Sequence, residues 1–106
     1  MEKFGLHALV WVSEWNPKDI RFAAENTAKA GFSVMEAVIF DPAEALPDET
    51  AKAFAEFGLE AVTGMALNAQ ADISSPDPSI SKAGEALIVD AISATRDMGS
   101  KKLGGV

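Results

Sequence analysis

The sequence predicts an α/β fold built on parallel strands, and three observations carry that expectation. Apolar segments of strand length alternate with stretches whose apolar residues recur at helical spacing. A glycine (Gly31, Gly58, Gly99) stands ahead of the second, third and fourth strand-like segments. The first and third helical stretches open on Asn16-Pro17 and Asp77-Pro78, a capping residue followed by a proline suited to the first helical position. Strand-helix units in series give a parallel sheet with right-handed crossovers.

The longest instructive stretch runs from Ala61 to Pro78. Ala61-Val62-Thr63-Gly64-Met65-Ala66-Leu67 reads as a buried strand, and a polar loop follows. Asp72-Ile73-Ser74-Ser75-Pro76-Asp77-Pro78 then opens a helix. A loop of this kind lies at the carboxyl end of a sheet, where α/β proteins build ligand sites. Ser74, Ser75 and Asp77 themselves are ordinary turn formers and caps.

The remaining elements follow the same pattern. Phe4–Val12 is dense in Leu, Val and Trp and reads as strand one, covered on both faces. After Asn16, residues Ile20, Ala23, Ala24, Thr27 and Ala28 share one helix face, and Gly31 takes the left-handed position beyond it. Phe32–Phe40 is strand two, closed by Asp41-Pro42. A helix from about Pro47 turns Ala51, Phe54 and Ala55 inward and stops at Gly58. Leu59–Leu67 is strand three. The third helix carries a stripe of Ile80, Ala83, Gly84, Leu87, Ile88 and Ala91, continued by Ile92, Thr95 and Met98. Glu85, Asp90, Arg96 and Asp97 form its solvated face. Lys101–Val106 begins strand four, so the order is β-α-β-α-β-α-β.

Composition narrows the function classes. Hydrophobic residues make up 48% of the chain, enough for a core. A net charge of −7 without a basic cluster argues against nucleic acid. No apolar run approaches the roughly 20 residues of a membrane span. There is no cysteine, which excludes disulfides and thiolate metal sites. Together with an N-terminus that leads straight into a strand-like segment, this makes a cytoplasmic location the expectation.

Four strands fit a small open sheet or half of a (β/α)8 barrel, which takes about 250 residues in full. Lys-Lys-Leu-Gly-Gly-Val runs to the terminus without protection for a final strand edge. The expectation is therefore a single partial domain, residues 1–106, forming the N-terminal half of a TIM barrel, strands one to four.

Gly5-Leu6-His7, Trp11, Glu14-Trp15, Ala30-Gly31-Phe32 with Met35-Glu36, and above all Asp72–Pro78 resemble the ketose 3-epimerases. These are the D-tagatose, D-allulose and L-ribulose 3-epimerases of the xylose-isomerase-like TIM-barrel superfamily. The resemblance implies metal-dependent epimerisation at C3 of a free ketose. A divalent Mn, Co or Mg ion holds the substrate oxygens, and two glutamates exchange the proton through a cis-enediolate. In that family the glutamates and metal ligands come from strands five to eight. No catalytic residue, bound metal or turnover is thus expected of this chain alone. The positions that carry over are substrate-binding: His7, Trp15, Glu36, Gly64, Ala66 and Val106.

The residues themselves permit blander readings. His7 is the only histidine and has no ligand-spaced partners, so a pocket wall or a satisfied core position is favoured over a metal role. Glu36 lies within Val34-Met35-Glu36-Ala37-Val38, where a carboxylate needs a polar pocket or an ion-pair partner. Trp15 either covers a sugar or anchors its loop, while Trp11 packs under a helix. Two other functions stay open. One is a non-catalytic half-barrel that pairs with itself or a partner through its strand edges. The other is a different enzyme of the superfamily, such as a hydroxypyruvate isomerase or an inosose dehydratase.

Overall fold

The computed structural model describes residues 2–105. Its centre is the pairing of β2 (Val34–Ile39) with β3 (Glu60–Met65), parallel and in register from Val34 opposite Glu60 to Ile39 opposite Met65. β1 (Gly5–His7) adds to the outer side of β2, and β4 (Leu103–Gly105) to the outer side of β3. The strand order is β1-β2-β3-β4, each strand beside its predecessor in the chain. A doubly wound sheet reverses direction across a switch point. This sheet never does, and it is the winding of a barrel segment. Crossovers of one hand set the helices on one face. There α1 (Pro17–Lys29) packs on α2 (Pro47–Glu56), and α2 on α3 (Pro78–Asp97).

The local signals act as their chemistry dictates. The Asn16 side chain accepts the Asp19 N–H to cap α1, with Pro17 at the first helical position. Asp77 accepts the Ser79 N–H in the same way at α3. Gly31 and Gly58 hold φ of +92° and +68° just beyond α1 and α2, where a side chain would be strained. α2 starts differently: its capping position is Leu46, left-handed at φ +48° and without a side-chain cap.

Several boundaries differ from expectation. Strand one stops at His7, because the chain bends into a 3-10 turn over Ala8–Val10. The N–H groups of Trp11 and Val12 both converge on the Ala8 carbonyl, leaving Leu9 and Val10 more than half exposed. Helix two buries Thr50, Ala53 and Phe54, whereas Ala55 faces solvent. On helix three the covered face is Gly84, Ala91, Ala94, Thr95 and Met98. Ile92 is 54% exposed and Ala83 is also outside, since the sheet beneath is too narrow to cover the whole apolar stripe.

Between sheet and helices lies one core, with Phe54, Ile20, Met35 and Ile39 its largest fully buried apolar side chains. Buried threonines tie the layers together. Thr63 of β3 and Thr95 of α3 join hydroxyl to hydroxyl at 2.8 Å. The Trp11 indole donates to Thr27 of α1, as expected for a residue packed under a helix. Replacing Phe54 by Ala removes the largest of these core side chains and is expected to cost about 3–5 kcal/mol. Thr63→Val deletes one hydroxyl while Thr95 keeps the Ala91 carbonyl, so about 1 kcal/mol is expected. Urea denaturation of both variants checks the ranking, and equal losses would contradict the layer assignment.

Candidate functional site

Alternation along β2 and β3 divides the side chains between two faces. Thr63 reaches α3 and Met35 receives the Thr27 hydroxyl of α1, so Met35, Ala37, Ile39 and Thr63 point towards the helices. Glu36, Val38, Val62 and Gly64 therefore occupy the opposite, helix-free face. His7 is the register partner of Glu36 and joins them. A barrel would turn this face inward.

On that face a cleft of about 400 Å³ opens at the carboxyl ends of the strands. His7, Glu36, Gly64 and Ala66 all line it. Four of the expected positions, drawn from three strands far apart in sequence, are thus brought together. His7 Nε2 lies 3.3 Å from Glu36 Oε1, and each side chain is a little over a third exposed. The imidazole is oriented from its other side, because Nδ1 accepts the Leu9 N–H at 3.0 Å. In the neutral ring that leaves the proton on Nε2, the ring nitrogen nearest the carboxylate. Leu9, Val38 and Phe40 supply apolar wall.

Trp15 stands apart from this cleft. It is 8% exposed, and its indole donates to Thr50 of α2 at 3.1 Å, anchoring its loop. It lines an adjoining cavity that shares Val38 and Phe40 with the cleft. Val106 lies outside the described residues. Leu9, Val38 and Phe40 went unremarked as site residues in the sequence. Phe40 alone carried a signal there, as an apolar residue at a strand end directly before Asp41-Pro42.

The chemistry on offer is recognition of hydroxyl donors against an apolar wall. A carboxylate accepts from two hydroxyls at once, and charge-assisted bonds of this type are the stronger kind. No lysine or arginine is among the residues lining the cleft, so an anionic ligand would meet Glu36 without a counter-charge. The metal implied by the resemblance does not fit the residues present. Among the described residues no three His, Asp or Glu side chains are grouped to hold an ion. His7 and Glu36 are two donors, fewer than a catalytic metal draws from protein. No helix among the described residues is long and apolar enough to cross a membrane.

The loop leading into α3 is held by acid–hydroxyl pairs. Asp72 accepts from the Ser74 hydroxyl and N–H, and Asp77 likewise from Ser79. The hydroxyl bond, then the N–H bond, holds each carboxyl below the usual aspartate range. The charged form is favoured in the fold. Its contribution is complete above the unfolded aspartate value and is lost as pH falls through the lower folded values. Loop order and the first turn of α3 are expected to persist at pH 5 and to weaken below about pH 4. Amide exchange at Ser74 and Ser79 between pH 5 and 2.5 checks the direction, since protection that rises on acidification would contradict it.

No protein-family profile matches the chain. Curated relatives do. A ketose 3-epimerase of Arthrobacter globiformis is 35% identical over 104 residues, 98% of this chain and 36% of that protein. An L-ribulose 3-epimerase of Mesorhizobium japonicum is 30% identical over the whole chain, again 36% of the relative. Among solved structures, D-allulose 3-epimerase from Methylomonas sp. in complex with D-allulose superposes with a TM-score of 0.94 at 32% identity, covering 98% of this chain and 36% of that one. The chain spans a little over a third of the length of these relatives. Sequence and fold agree along its full extent: this chain is similar to the N-terminal portion of the ketose 3-epimerases, and its four parallel strands match the N-terminal portion of their TIM barrel.

Proposed function

We propose that this chain is the sugar-contacting wall of a ketose 3-epimerase barrel, acting on a free ketose at C3. The observation that supports it is the convergence of His7, Glu36 and Gly64 in one cleft at the carboxyl ends of the strands. In this reading Glu36 accepts hydroxyls of the open-chain sugar, His7 holds Glu36, and the apolar wall takes the carbon chain. The divalent metal and the proton-exchanging carboxylates belong to later strands. The 106-residue chain therefore binds its part of the sugar and does not turn it over.

Two measurements test this. The chain alone, assayed with D-fructose or L-ribulose and Mn, is expected to give no epimerised product, and sustained turnover would refute the division of labour. Residues 1–106 grafted in place of the matching segment of the Arthrobacter globiformis enzyme are expected to preserve epimerisation. Glu36→Gln in that chimera then lowers kcat/KM about 10- to 100-fold, the worth of a hydrogen bond to a charged group. An unchanged kcat/KM would remove Glu36 from the site.

A second reading, self-association, is favoured by the surface. The chain exposes 6438 Å², against about 5,700 Å² for a folded protein of its mass. The excess is close to the roughly 800 Å² per partner of a standard interface. β1 and β4 each pair on one side only among the described residues, and two copies would supply eight strands. Sedimentation at micromolar concentration decides it. A dimer supports mutual closure, and a monomer rejects it.

A further inference from the structure

Glu36 does not lie over its direct neighbour on β3. Its register partner is Val62, yet the side chain leans one step further towards the mouth of the cleft and rests on Gly64. A Cβ placed on Gly64 would sit 2.8 Å from Glu36 Oε2 and 3.2 Å from its carboxyl carbon. Such separations are inside contact distance, so the carboxylate can hold this position only while residue 64 has no side chain. Its other oxygen, Oε1, faces His7 Nε2, and His7 is held in turn by the Leu9 N–H. The acid is thus located from both flanks: a fixed imidazole on β1 and bare backbone on β3.

We propose that Gly64 is a positioning residue that fixes which oxygen of Glu36 the cleft presents. It acts by leaving the space in which Oε2 lies, so that Oε1 stays with His7 and Oε2 stays over β3, open to a hydroxyl. The functional part of this proposal rests on the ketose reading of the cleft, while the positioning itself does not. The atom that an added methyl would meet is the far end of a flexible side chain, so Gly64→Ala is expected to fold. Glu36 swings away and loses His7.

The chain has one histidine, so its ring nitrogens give a single, unambiguous pair of NMR signals. In Gly64→Ala the His7 Nε2–H signal is expected to move to where Glu36→Gln places it, with Nδ1 still an acceptor. Gly104→Ala is the control, because a Cβ there meets nothing closer than 4.0 Å, and His7 should not respond. In a Glu36→Ala background Gly64→Ala should move His7 no further, which separates action through Glu36 from a general disturbance of β3. Glu36→Asp, too short to lie across Gly64, should shift His7 as Gly64→Ala does and serves as a second variant. A His7 signal unmoved in Gly64→Ala or in Glu36→Asp, or one that still moves in the Glu36→Ala background, overturns the proposal. In the chimera, Gly64→Ala is expected to lower kcat/KM about tenfold, with no further loss once Glu36 is Gln. The expected NMR shift with unchanged kinetics upholds the positioning and overturns the ketose reading instead.

Discussion

The six-residue register between β2 and β3 is the constraint on which the rest depends. Because side chains alternate with a period of two, a slip of one residue would bury Glu36 among the helices and present Met35 to the cleft. The same register brings Gly64 within reach of Glu36, while the β1–β2 pairing sets His7 directly beside it. Fold and site are therefore one decision. What prevents the slip is the helix-facing set of Met35, Ala37, Ile39 and Thr63, each 2% exposed or less.

Threonine has a particular part in holding that arrangement. Thr27, Thr50, Thr63 and Thr95 are buried, and each hydroxyl has a partner. A threonine hydroxyl at a layer boundary accepts and donates in a small volume, so it joins elements that would otherwise meet only through apolar contact. The Trp15–Thr50 bond fastens the loop after strand one to the start of α2. Leu46 makes no side-chain cap there, so this tether takes the place of a local helix-start signal. No buried side-chain polar atom among the described residues is left without a partner.

Most of the fold was legible because its signals are local. Asn16-Pro17, Asp77-Pro78 and the glycines at 31, 58 and 99 act through their own backbone geometry, whatever lies around them. Errors arose where an answer depended on neighbours. Phe4–Val12 is apolar enough for a long strand, yet hydrogen bonds to the Ala8 carbonyl bend it after His7. Ala55 and Ile92 fit a helical stripe, but how much of a stripe is covered depends on the width of the sheet beneath. In the site, Glu36 stood out as a charge within an apolar strand. Its lean onto Gly64 did not, because nothing in either segment taken alone records a diagonal contact between strands.

The edge of β4 has an implication for what can be set against it. Its side-chain content is Leu103 followed by Gly104 and Gly105, so a neighbouring strand would meet almost pure main chain. Amide and carbonyl groups are the same in every sequence, and a seam made of them asks little of the segment beyond it. A different segment could be set against such a seam with little adjustment on this side of it. The His7–Glu36–Gly64 wall would keep its own geometry whatever segment lay beyond that edge.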